Sequence, residues 1–236
     1  MLDICQNLNL PTIPQAFINE NSDAVTERLG LPMIQNLQVP DLKNKQEETG
    51  QTILIHHTNE SKNQSYDLEN RPRYIDWYDN TKKRICTIRR YPFSVELYSW
   101  VKNNIFPWVD EMNPYQLGHQ VWKHGDVIWP HTDGIRGQFL LSYLLHEGGE
   151  FVETVWYKVR DRDIVLPPAT HYVNFNNIDV IKRERLPVGR WVLNDARVLH
   201  SVYYITEPRI AVTIGFIRSE VEKFIKFHNL KFNLDP

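Results

Sequence analysis

From residue 117 onward the chain is cut into short runs rich in Val, Ile, Tyr and Trp. They read "LGHQVWKHGDVIW", "GQFLLSYLL", "ETVWYKV", "RWVLNDARVLHSVYYI" and "RIAVTIGFI". Between them stand turn signals: "HGD", "EGGE", "LPPATH", "LPVGR" and "TEP". β-branched and aromatic residues suit a pleated, half-buried surface, and several such strands at regular spacing favour an all-β sandwich or barrel, with a jelly roll as one solution. No other feature constrains the fold as strongly.

The rest of the chain is arranged around that half. Residues 1–50 are polar and mixed, with prolines at 11, 14, 32 and 40, and predict short elements wrapped on a larger body. "TILIHH" (52–57) and "RICTIRRY" (84–91) read as strands, and the polar segment between them reads as a long surface loop. "SVELYSWVKNNIFPWV" (94–109) predicts a helix. Ser94 is its N-cap, Val95, Leu97, Trp100, Val101 and Ile105 lie at helical spacing, and Pro107 stops it. "SEVEKFIKFHNL" predicts a short terminal helix. At 236 residues with 42% hydrophobic content, the chain suits one domain. The expected fold class is mainly β with flanking helices. Residues 1–116 would form a mixed part packed on the core, 117–218 the jelly-roll core, and 219–236 a helical tail.

Charge and cysteine content narrow the function classes. Basic residues number 27 against 29 acidic, so no global field points to nucleic acid or an anionic membrane. Two cysteines without CxxC spacing make neither a disulfide framework nor a zinc ribbon. The N-terminus lacks the basic and apolar regions of a signal peptide, and no stretch reaches the ~18 apolar residues of a spanning helix. The expectation is a soluble, cytoplasmic protein. "HEGGE" (146–150) is not a zinc-protease helix, because its fifth position is Glu150 and two adjacent glycines break a helix.

Of nine histidines, those at 56, 57, 119 and 171 have no carboxylate at a ligand spacing, and His124, two residues before Asp126, falls in the turn signal "HGD". His131 and Asp133, in "WPHTDG", differ. Side chains two apart on a strand share a face, so an imidazole and a carboxylate can converge on one ion. A second histidine would complete a facial triad that leaves three octahedral positions open. The candidate is His200, which lies 200 − 133 = 67 residues beyond the aspartate, in a strand-like run after a turn at Asn194 and Asp195. Arg209 follows 209 − 200 = 9 residues later and opens an apolar strand. A hairpin of that length would return it alongside His200. An arginine there is costly to bury without an anion, and its planar fork suits a carboxylate.

The order "HTD … LHSVYYITEPRIAVTIGF" resembles the signature of the iron(II)/2-oxoglutarate-dependent dioxygenases. "LSYLLHEGGE" is similar, more faintly, to the prolyl-hydroxylase branch, in which a strand leads into Gly-Gly-Glu. The resemblance covers 117–218 and does not extend to the N-terminal half. It implies a double-stranded β-helix (jelly-roll) core. It also implies Fe(II) on His131, Asp133 and His200, with 2-oxoglutarate anchored by Arg209 and O2 at the remaining position. The products would be succinate, CO2 and a hydroxylated substrate. Many relatives carry a serine or threonine two residues after the arginine, where this chain has Ala211. Thr213 is the nearest hydroxyl on that face, ~13 Å along a strand from the arginine, and Tyr143 from a neighbouring strand is the substitute candidate. Arg136, near the point where some relatives grip a substrate carboxylate, is the substrate-contact candidate, with a solvent-facing loop arginine as the other reading.

The implied substrate is an amino acid, a peptide side chain or another small metabolite. Two alternatives stand beside it. One is a nucleic-acid demethylase of the AlkB type, to which the chain fits poorly because its next arginine, Arg218, lies nine residues after Arg209 without the intervening asparagine. The other is a non-catalytic jelly-roll protein that keeps a metal or ligand site.

Overall fold

A computed structural model of the protein describes residues 4–19, 94–109, 130–133, 138–161, 177–207, 209–232 and 234 in full. It also describes the backbone of the strands at 56–57, 73–78, 84–91, 117–122 and 128–129. Twelve strands are described in these segments. They are β1 (Cys5–Leu8), β2 (His56–His57), β3 (Arg73–Tyr78), β4 (Arg84–Tyr91), β5 (Leu117–Trp122), β6 (Ile128–His131), β7 (Phe139–Glu147), β8 (Glu153–Val159), β9 (Ile178–Glu184), β10 (Trp191–Asp195), β11 (His200–Tyr203) and β12 (Arg209–Phe216). Two complete helices accompany them, α1 (Val95–Ile105) and α2 (Arg218–Phe227), and residues 15–19 are helical as well.

Strand pairing identifies the architecture. β5 pairs with β12, β6 with β11, β7 with β10 and β8 with β9, all antiparallel. Each pair is nested inside the one before, as in a long hairpin folded over on itself. The β12–β7 and β11–β8 pairings then join these pairs into two facing sheets. The larger has the order β1-β10-β7-β12-β5-β4-β3-β2 and the smaller β6-β11-β8-β9. This is a jelly roll, with β1 added at one edge of the larger sheet and β2 to β4 at the other.

Alternation along the strands separates two layers of core. Phe139, Leu141 and Tyr143 of β7 share a face with Ile210, Val212 and Ile214 of β12. The helices cover that face, α1 through Leu97, Val101 and Ile105, and α2 through Val221 and Phe224. Phe106, Phe216 and Phe224 meet there with ring centroids 5.4–5.7 Å apart. The opposite face looks into the sandwich, where Leu144, Val192 and Ala211 pack against Trp156 of the smaller sheet. Every residue of β12 is buried because both of its faces are covered.

Helix α1 starts as the sequence predicts, with the Leu97 N–H donating to Ser94 Oγ at 3.2 Å. One segment departs from the sequence reading. β3 falls inside the stretch read as a long loop, because "RYIDWY" carries strand-forming residues amid polar neighbours. The basic run "IKRERLPVGR" (181–190), which reads from the sequence as a solvated edge or turn, begins as the second half of the edge strand β9. "HEGGE" ends β7 and turns, with Gly148 at φ 93° and Gly149 at φ 124°, so no helix forms there. No helix among the described residues is long and apolar enough to cross a membrane.

Candidate metal centre

His131 ends β6 and His200 opens β11, and the two are Cα partners across the β6–β11 ladder. That pairing brings their rings to a centroid separation of 4.3 Å. Asp133 lies two residues beyond the end of β6, outside regular pairing. Its backbone N–H is nevertheless fixed, donating to Ala196 O at 3.0 Å. One carboxylate oxygen comes to 3.7 Å from His131 Nε2. One ligand atom from each of His131, Asp133 and His200 lies within 4.8 Å of the other two. His131 is buried, His200 is half-buried, and the Asp133 side chain is 29% exposed. Among the described residues this is the only group of three or more histidine, cysteine or acidic side chains gathered in this way.

The tightest constraints come from the turn between β10 and β11, residues Ala196–Leu199. Its Ala196 carbonyl holds Asp133, and its Val198 carbonyl lies 2.9 Å from His200 Nδ1. A ring nitrogen that donates to a carbonyl leaves the other free to ligate, which fixes His200 with Nε2 toward the cluster. The turn itself is clamped by Asp195, only 3% exposed. Its carboxylate accepts from Arg197 Nε at 2.9 Å, from Arg197 Nη2 at 2.7 Å and from the Arg197 backbone N–H. The Arg197 guanidinium lies over the Phe139 ring and also donates to Leu234 O, while the Asp195 N–H donates to Ile4 O. Both ends of the described chain therefore bear on the turn that orients two of the three clustered side chains.

Behind His200, on the outer face of the smaller sheet, Tyr157 shares a buried hydroxyl network with Ser201 at 2.8 Å and Tyr203 at 2.7 Å. Burial pushes the Tyr157 and Tyr203 hydroxyls well above the ordinary phenol range, so they remain protonated donors. Trp156 is the Cα partner of His200 on the inner face, with Lys182 Nζ 5.5 Å from its ring centroid.

Arg209 opens β12 and is 6% exposed. It shares the inner face with Ala211 and Thr213, since Ile210, Val212 and Ile214 belong to the helix-covered side. Its Nη1 donates to Glu147 O at 2.7 Å. The Glu147 carboxylate, in contrast, is gripped by Arg185 in a two-pronged ion pair. Among the described residues no carboxylate pairs with Arg209, and burial pulls its guanidinium down to about 10. The route from His200 to Arg209 is not the expected hairpin. β11 belongs to the smaller sheet and β12 to the larger, so the chain crosses between sheets after Tyr203 and before Arg209. The Thr206 and Glu207 N–H groups donate to Gly148 O in that crossing. Arg209 therefore faces the smaller sheet across the sandwich instead of lying beside His200 in one ladder.

The remaining candidates divide. Tyr143 is not brought to Arg209: its β12 partner is Val212, its ring stacks 5.0 Å from Trp191, and its hydroxyl meets the Ile13 backbone. The reason is the alternation that puts it on the same face as Phe139 and Leu141, which is the helix-covered face. Thr213 is on the inner face, opposite Ser142, two residues beyond Ala211. Arg136 lies outside the described residues. Arg218 sits on α2 and pairs with Glu222 at 3.2 Å, away from the cluster. Arg183 and Arg185, in the basic run, pair with Glu153 and Glu147, so that run is an ion-paired edge and not an open phosphate site. Trp156 and Tyr157 are buried core.

The sequence left three contributors unmarked. Two are backbone carbonyls, Ala196 O and Val198 O, which have no side-chain signature. The third is the Asp195–Arg197 clamp, where the "ND" turn signal marks a turn and not what the turn holds.

No family model matches the chain, and no curated protein matches it. Among solved structures the chain is similar to Escherichia coli YcfD, at a TM-score of 0.35 and 13% identity over 87% of this chain and 54% of that one. It is similar too to YcfD described as a ribosomal oxygenase in complex with cobalt and 2-oxoglutarate, at a TM-score of 0.33 and 13% identity over 87% and 52%. The form with cobalt and succinic acid gives the same values. This chain spans about half the length of those structures. The character of the site rests on its own geometry.

Proposed function

We propose that this protein is an Fe(II)- and 2-oxoglutarate-dependent oxygenase of the hydroxylating type, acting on an amino acid, a peptide side chain or a small metabolite. The observation that carries the reading is the combination of two features in one sandwich. Two histidines and a carboxylate converge within 4.8 Å, and a buried arginine with no carboxylate partner among the described residues lies on the facing sheet.

The donor set fits the metal. Two imidazole nitrogens and one carboxylate oxygen are the ligands of a facial triad with open positions. A single ion at ~2.0–2.2 Å from each donor would bring the three atoms, which now lie within 4.8 Å of one another, to about 3 Å apart. His200 is already oriented by Val198 O, and Asp133 can swing on a backbone held by Ala196 O. Iron bound there would supply activation of O2 and the oxidative decarboxylation of 2-oxoglutarate to succinate and CO2, coupled to hydroxylation of the substrate.

The protein's own residues do the rest. Arg209 receives the distal carboxylate of the keto acid, and its fork fixes the orientation of the chain that leads toward the metal. Trp156, Leu144 and Ala211 pack as an apolar cluster between the two sheets, and such surface excludes water and strengthens charge interactions beside it. The exposed side of Asp133 marks the mouth through which a substrate would approach. The direct experiment is anaerobic loading with Fe(II), followed by O2, 2-oxoglutarate and a panel of amino acids and short peptides, with succinate as the readout. Iron-dependent succinate formation that rises with one class of substrate is expected. Iron loading of the intact site with no succinate under any member of the panel would favour the non-catalytic binding protein.

A further inference from the structure

We propose that Thr154 is the second contact to the carboxylate held by Arg209, donating its hydroxyl from the facing sheet. The proposal rests on the reading of this site as a 2-oxoglutarate centre, and it fills the place left by Ala211.

Thr154 is the second residue of β8 and only 6% exposed. Alternation along β8 puts it on the inner face with Trp156, since Val155 and Tyr157 belong to the outer cluster. Its Oγ1 is buried and has no hydrogen-bond partner among the described residues. Buried hydroxyls almost always have one, so an orphan on the wall of a ligand space indicates a group that arrives with the ligand.

The packing fixes its level in the sandwich. Trp156 packs with Leu144 and Ala211, which sets β8 and β12 side by side at that height. Both strands start at the same end of the sandwich, because Glu153 follows the tight turn after Glu147, and Glu147 is the Cα partner of Arg209. Two residues back from Trp156 is Thr154, and two residues back from Ala211 is Arg209. Each step of two is ~6.6 Å in the same direction. The hydroxyl and the guanidinium therefore stand at one level on opposite walls, a step below His200, the Cα partner of Trp156. The Arg209 fork already gives Nη1 to Glu147 O. A carboxylate offers about four lone-pair positions, so a donor from the opposite wall satisfies oxygens that the fork does not cover. Neither other hydroxyl candidate meets this description. Tyr143 is on the far side of the sheet, and Thr213 lies on the other side of Ala211 from Arg209.

The test compares two keto acids on the full chain loaded with Mn(II), by calorimetry. 2-Oxoglutarate carries the distal carboxylate and 2-oxobutyrate lacks it. Thr154→Val should weaken 2-oxoglutarate by about ten- to a hundredfold, the worth of a hydrogen bond to a charged group. It should leave 2-oxobutyrate within about twofold of wild type, while Thr154→Ser retains most of the binding. Thr154→Ala serves the same comparison if the valine variant melts early. Unchanged 2-oxoglutarate binding in a folded hydroxyl-less variant overturns the proposal, and so does equal weakening of both acids. Wild type binding neither acid overturns the 2-oxoglutarate reading itself, and the proposal with it, in an arm that contains no variant.

Discussion

Arg209→Met separates a ligand-binding arginine from a structural one. A structural buried ion pair loses about 3–5 kcal/mol when one partner is removed, because the other charge is stranded. Arg209 has no such partner among the described residues. Burial lowers its guanidinium from 12.5 to about 10, which corresponds to roughly 3 kcal/mol against the charged form at neutral pH. The sign is clear. Below pH 10 the arginine is charged in both folded and unfolded states, so the full cost is present at neutral pH, and stability from this group rises only above pH 10. Against that cost stands one charge-assisted hydrogen bond to Glu147 O, worth about 1.5–3 kcal/mol. Methionine removes both and refills most of the volume with flexible apolar atoms. The net change expected in the ligand-free protein is between zero and about 1.5 kcal/mol of stabilisation, a Tm shift of no more than about 6 °C upward for a chain of this size. The stabilisation conferred by saturating 2-oxoglutarate in the presence of metal should vanish in the same variant. Thermal melting of both proteins, with and without ligand, is the assay. A fall in Tm of 10 °C or more in the ligand-free variant would show that Arg209 holds the fold together and refute the reasoning.

Two further predictions concern the shell around the site. Asp195→Asn removes the carboxylate that clamps the Ala196–Leu199 turn through Arg197, and it should lower metal affinity about 10- to 100-fold. Arg160→Gln, which breaks an exposed pair with Asp179, should leave metal affinity unchanged as a control. Metal titration reads both, and equal effects would remove the turn from the account. Gly148→Ala places a Cβ 2.7 Å from Arg209 Cβ at a residue with φ 93°. It should cost about 1–2 kcal/mol in backbone strain alone and weaken 2-oxoglutarate binding by displacing the arginine. A variant with wild-type stability and affinity would mean that Gly148 does not set the position of Arg209.

The sandwich was legible because strand signals are local. The β-branched runs and their turn residues mark β7, β8 and β12 nearly residue by residue, while one run spans both β10 and β11 and reads a turn at Asn194 and Asp195, which end β10. The cluster was legible because its ligands sit at strand ends with fixed spacing, and pairing of β6 with β11 brings His131 to His200. Four things were not legible, for different reasons. β3 was lost because its four strand-forming residues, Tyr74, Ile75, Trp77 and Tyr78, stand among polar ones, so composition over the window masked the local preference. The route to Arg209 was misjudged because sequence distance cannot say whether the next strand pairs with the last or crosses to the facing sheet. Tyr143 was placed on the wrong side because alternation shows which residues share a face, and only packing of α1 and α2 shows which face that is. Thr154 gave no signal at all, since an unpartnered hydroxyl is visible only once its surroundings are built.

The central claim is that one ligand bridges the metal ligands and Arg209. If so, metal and keto acid must each tighten the other, because coupling between bound ligands is reciprocal. Anaerobic equilibrium dialysis of Fe(II), with and without 2-oxoglutarate, measures this directly. The account predicts one Fe(II) per chain in the wild type, with affinity raised at least tenfold by 2-oxoglutarate. It predicts no such rise in Arg209→Met, and no stoichiometric iron in His131→Ala or Asp133→Ala. Iron affinity indifferent to 2-oxoglutarate in the wild type, or stoichiometric iron retained when His131 and Asp133 are both replaced, would contradict it.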